Sequence, residues 1–111
     1  MIEKTILDYL NEKLDVTAYM ERPESQPASY VIIEKTGSSE SDQVTTSTFA
    51  FQSCAKSLAE AAALNELVKS AVKESVELPG IGGVHLNTDY NFTNTASKQY
   101  RYQAVFLITH Y

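Results

Sequence analysis

His85, Asn87 and Asp89 are the residues of this chain best placed for acid–base chemistry. They alternate within a strand-like segment, which would set all three on one polar face. A histidine near a carboxylate is the pairing that general acid–base catalysis uses. That chemistry also needs a nucleophile or an oriented partner within hydrogen-bond reach, in a sheltered cleft. No residue pattern supplies either, so the trio reads as the solvated side of a half-buried strand.

The other reactive side chains are scattered. His110 and Tyr111 end the chain, and two histidines 25 positions apart without a patterned carboxylate cluster do not make a metal site. Cys54 stands beside the start of a long helix, where the helix dipole can lower a thiol pKa, yet it reads better as a small core residue. As the one cysteine, it excludes an internal disulfide framework and a cysteine zinc site. Ile81-Gly-Gly83 follows Pro79-Gly80 but precedes a strand rather than a helix, so it reads as turn chemistry and not a phosphate cradle. Asn91-Phe-Thr93 matches a glycosylation sequon, which has no consequence without secretion. The expectation is a chain with no catalytic, cofactor or metal site.

The 111 residues suit one domain with a modest core. Hydrophobic residues make up 43% and charged residues 21%, which argues against wholesale disorder. No apolar run reaches the roughly 20 residues of a bilayer span. The N-terminus alternates charged and apolar residues, so it does not read as a signal peptide, and synthesis in the cytoplasm is expected. The net charge is −5, and the nine Lys and Arg never cluster in sequence. Gripping nucleic acid by its phosphates would need a positive stripe.

Apolar spacing predicts an amphipathic helix over 2–14, followed by a short strand at Val16–Met20. Arg22-Pro-Glu-Ser-Gln-Pro27 is a rigid loop or an edge. Tyr30-Val-Ile-Ile33 lies within a strand, Ser29–Thr36, buried on both faces. The polar run Gly37–Gln43 then separates it from an alternating strand, Val44–Ala55. Phe49 and Phe51 mark the core side of that strand. Thr45–Thr48 carry no large apolar group, which predicts a hairpin that projects past the core. Ser57-Leu-Ala-Glu60 has the form of a capping box, opening a helix with a Leu64, Leu67, Val68, Ala71, Val72 stripe that ends near Glu77. Val84, Leu86, Thr88, Tyr90 and Phe92 should share one face of the next strand. The turn Asn94–Lys98 leads to a final strand, Tyr100–Tyr111, apolar on both faces and so expected to be covered twice. The predicted fold is α+β in the order α-β-β-β-α-β-β: an antiparallel sheet with a long projecting hairpin and two helices on one face.

Length spent on a projecting hairpin, with no clustered chemistry, points to contact with other subunits. Ser38, Ser39, Glu40, Ser41, Asp42, Gln43, Thr46 and Thr48 are the candidate interface on the hairpin. Tyr100, Arg101 and Tyr102 are the candidates on the last strand, where tyrosines concentrate and suit wet interfaces. Arg101 has an acidic residue such as Asp89 as its expected partner.

Four stretches resemble the tail terminator (tail completion, minor capsid or head–tail joining) proteins of long-tailed bacteriophages and prophages. They are the N-terminal helix, Glu21-Arg-Pro-Glu-Ser-Gln-Pro-Ala-Ser-Tyr-Val-Ile-Ile-Glu34, Phe51-Gln-Ser-Cys-Ala-Lys-Ser-Leu-Ala-Glu-Ala-Ala62 and Tyr100-Arg-Tyr102. The resemblance implies a ring, usually a hexamer, that caps the head-proximal end of the tail tube and stops its polymerisation. The ring would join the tube to the head connector or stopper protein. Its partners would be copies of itself, the major tail tube protein and that connector, with no membrane. Its place would be the virion, after synthesis in the host bacterial cytoplasm. Six copies at −5 each carry roughly −30, which would let DNA pass without specific binding if acidic residues among Glu34, Glu40, Asp42 and Asp89 turned inward. Two alternatives stay open: a neighbouring station such as the stopper or the tube protein, and a small α+β ligand-binding or enzymatic domain acting as a dimer.

Overall fold

Alternation along the strands sorts their side chains into one layer that meets two helices and one that does not. The computed structural model describes residues 1–25 and 27–111; Gln26, inside the proline loop, lies outside the described residues. The elements are α1 (Ile2–Lys13), β1 (Thr17–Tyr19), β2 (Tyr30–Ser41), β3 (Val44–Ala55), α2 (Leu58–Glu74), β4 (Ile81–Asn91) and β5 (Tyr100–His110), with one 3₁₀ turn at Ser75–Glu77. This is the α+β order read from the sequence. The sheet runs β1-β2-β3-β5-β4 and is antiparallel except where β1 pairs parallel with β2.

The core forms where the helices meet the sheet. Val31 and Ile33 of β2, Phe49 and Phe51 of β3, and Ala104, Phe106 and Ile108 of β5 pack against Ile6 and Leu10 of α1 and Leu64, Val68 and Val72 of α2. Phe51 meets Phe106 edge-on at 5.7 Å between ring centres and stacks on Phe49 at 5.9 Å, geometries that aromatic quadrupoles favour. Tyr9 completes the helix pair by donating its hydroxyl to the Ala71 carbonyl at 2.8 Å. The Asn11 side chain brackets the backbone of Ala18 and so fastens the short β1 to α1. At the start of α2 the Glu60 N–H donates to Ser57 Oγ, the serine half of the expected box. Leu67, expected in the buried stripe, is 62% exposed instead; it flanks the stripe rather than belonging to it.

The polar run Gly37–Gln43 is not a loop. Its first five residues continue β2, shifted by a bulge between Lys35 and Gly37, and pair with Val44–Thr48. Asp42 and Gln43 alone make the turn, at φ 52° and 68°. Two residues in the left-handed region give the tight turn whose twist matches a hairpin. Residues 34–41 of β2 are all exposed, whereas the outer half of β3 is held between β2 and β5. The projecting part of the hairpin is therefore the β2 arm.

Candidate interaction surfaces

His85, Asn87 and Asp89 do not share a face. Leu86 pairs with Phe106 and Thr88 with Val105, so Asn87 is the extra residue of a bulge. Before it, Val84 and Leu86 pack against the core and His85 points to the open side with Leu107. After it the parity is reversed. Asp89 turns to the helix layer, while Thr88 and Tyr90 move to the open face. The Asp89 carboxylate accepts from Lys69 Nζ and Asn65 Nδ2, both at 2.9 Å. The Lys69 bond, then Asn65, holds its pKa below the usual carboxylate value. Asp89 is thus a structural anchor for α2, separated from His85 by the sheet. Nor is it the partner of Arg101, which stacks on Phe92 at 4.6 Å and donates Nε–H to the Phe92 carbonyl at 2.8 Å.

His110 is the last residue of β5 and pairs with Thr45 and Ile81. Its Nε2 lies 2.8 Å from Ser47 Oγ. Burial, helped by the Lys35 charge, lowers its pKa and favours the neutral ring. Ser47 is fully buried in mid-strand, so this pair closes the core end rather than presenting a nucleophile. Alternation had already put Ser47 on the core side; only the cross-strand register pairs it with the terminal histidine. Cys54, as expected, is buried: it packs with Tyr30 and Ile32 on the second face, and burial raises its thiol pKa. Among the described residues no group of three or more His, Cys, Asp or Glu is placed to hold a metal.

The second face of the sheet has no layer over it among the described residues. Both helices pack on the other side, so the expected double cover of β5 is absent, and Val105 and Leu107 are half-exposed. Gln103 bridges this face, accepting from Gln52 and donating to the Tyr90 hydroxyl. These bonds tie β3, β5 and β4 together without a covering layer.

The expected interface residues separate into two places. Ser38–Gln43, Thr46 and Thr48 come together on the arm, through the pairs Ser39 with Thr46 and Gly37 with Thr48. Tyr100, Arg101 and Tyr102 sit at the other end of β3, opposite Ala55, Cys54 and Ser53. There the chain forms a groove of about 520 Å³ whose walls include Arg22, Lys56, Lys98, Arg101, Tyr30 and Tyr100. The residues lining it come from three distant parts of the sequence, so local pattern does not reveal it. Among the described residues no helix is long and apolar enough to cross a membrane. No family model matches the chain, and no curated protein matches it.

Proposed function

We propose that this chain is a non-catalytic assembly protein of a phage or prophage tail, a terminator that closes into a ring at the head-proximal end of the tail tube. The β2 arm is the observation that carries the reading. Its residues 34–41 are exposed, and β1 covers only Tyr30–Ile32, so among the described residues the rest of its outer edge is unpaired. A long unpaired edge is a template for another chain. Lys35, Glu34 and Glu40 on the arm are charges of the kind that restrain indiscriminate edge pairing. A contact between two different surfaces, repeated with rotation, closes a ring. The four stretches that resemble tail terminators supply the station in the virion.

The ring would end tube growth and present a surface to the head connector, while DNA passes through it. Glu34 is exposed and remains available for an acidic bore, whereas Asp89 is engaged by Lys69. The reading is tested by light scattering on the purified protein, alone and with the tail tube protein. A hexamer supports it, as does a monomer that assembles only on tube ends and limits tube length. A stable dimer indifferent to tubes overturns it and favours a small ligand-binding domain.

A further inference from the structure

The groove and the arm are opposite in charge and lie at opposite ends of one strand. Arg22, Lys56, Lys98 and Arg101 all line the groove, and among the described residues no acidic side chain does. In a chain of net charge −5 with nine Lys and Arg, that concentration needs an explanation. Most of the other cations are engaged: Lys4 with Asp8, Lys35 with Glu3, Lys69 with Glu66 and Asp89, and Lys13 over the Tyr9 ring. None of the four groove cations forms an ion pair among the described residues. Arg101 is fixed in place by its bond to the Phe92 carbonyl and its stacking on that ring, and Arg22 donates to Gln99 Oε1 at 3.2 Å. Fixed cations facing a cavity, flanked by Tyr30 and Tyr100, make a preorganised site for carboxylates.

The complementary surface is the β2–β3 turn. From Thr36 to Ala55 the sequence holds Glu40 and Asp42 and no basic residue. Both carboxylates are exposed, and neither is ion-paired among the described residues. The two-residue turn is narrow, and a volume of about 520 Å³ accommodates the few side chains at its tip. Strand β3 begins just after this turn and ends in the groove wall, at Cys54 and Ala55. The eleven steps of about 3.3 Å from Val44 to Ala55 separate the two surfaces by roughly 36 Å, so they cannot meet within one copy.

We propose that the Glu40–Gln43 turn of one copy docks into the Arg22–Lys56–Lys98–Arg101 groove of the next, with Glu40 and Asp42 as the anchoring carboxylates. The contact rests on the self-assembly reading above and specifies which surfaces meet. Because it joins unlike surfaces, repetition propagates copies in one direction until rotation closes them. Its charge pairing makes association salt-sensitive and fixes register.

Two variants and their mixture test it. Glu40→Lys with Asp42→Lys makes both surfaces basic; Arg22→Glu with Lys56→Glu makes the groove less basic and keeps the acidic turn. All four positions are exposed, and circular dichroism confirms that each variant folds. Assembly is followed by light scattering in the setting where wild type assembles, alone or on tube ends. Each variant alone should associate about a hundredfold more weakly than wild type. Their equimolar mixture should recover assembly, because the basic turn then meets the acidified groove and the native turn meets the native groove. Normal assembly of either folded variant, or a mixture that stays apart, overturns the contact and leaves the self-assembly reading standing. Loss with the groove variant alone assigns the groove another anionic occupant and likewise overturns it. A wild-type dimer that the variants dissolve and the mixture restores keeps the contact and overturns the ring. A wild type that assembles in neither setting overturns both.

Discussion

Phe106 and Leu107 are neighbours in β5, yet Phe106 is fully buried and Leu107 is half-exposed. The same contrast runs through β3, where Phe49 and Phe51 enter the core and Thr46, Thr48 and Gln52 stand on the uncovered side. One face is held by hydrophobic burial under two helices. The other is held by backbone pairing, the small Tyr30–Ile32–Cys54 cluster at one end, and the Gln52–Gln103–Tyr90 bridge. The difference teaches where this molecule can change: stability is concentrated in one layer, leaving the open face and the two ends of β3 free to serve contacts.

The sharpest way to break that contrast is Phe106→Ala. Phe106 lies at the centre of the helix-facing layer, against Phe51, and its removal leaves a cavity that rigid strands on either side cannot close. The expected loss is about 3–5 kcal/mol by urea denaturation. A loss under about 1 kcal/mol would mean that the helix layer is not where stability resides.

Asp89→Asn probes the polar anchor of the same layer and should have a smaller effect, about 1 kcal/mol near neutral pH. Lys69 and Asn65 depress the Asp89 pKa in the folded state. The unfolded chain therefore takes up the proton first as pH falls. The contribution is complete above the ordinary carboxylate pKa and is lost as pH drops through the lower folded value. Stability measured against pH should show a shallower acid-side decline in the variant. An unchanged slope would remove Asp89 from the anchor.

Most of the fold was legible because period-two and helical patterns report burial directly. Val31, Ile33, Phe49, Phe51 and Phe106 announced the core side, and Ser57 announced the start of α2. One misreading traces to a bulge, which adds a residue without changing composition. The extra Asn87 reversed parity in β4 and separated His85 from Asp89, which strict alternation had joined. On the arm, Ser38–Ser41 lack the β-branched residues that mark strands, yet pairing with β3 extends them into one. The expected double cover of β5 failed for a different reason, since apolar residues on two faces do not say how many layers are present. The groove was invisible because Arg22, Lys56, Lys98 and Arg101 converge only after folding.

The smallest effect on stability should come from the residue next to Phe106. Leu107→Ser shortens a side chain that no helix touches among the described residues, on a strand whose backbone is paired on both sides. The expected change is within about 0.5 kcal/mol by urea denaturation, because the lost apolar area is partly in water already. The pairs with Thr48 and His85 are set by the backbone and persist. A loss comparable to that of Phe106→Ala would mean that something buries the open face in solution. Concentration dependence of that loss would then identify the cover as a second copy, because stability coupled to self-association rises with protein concentration.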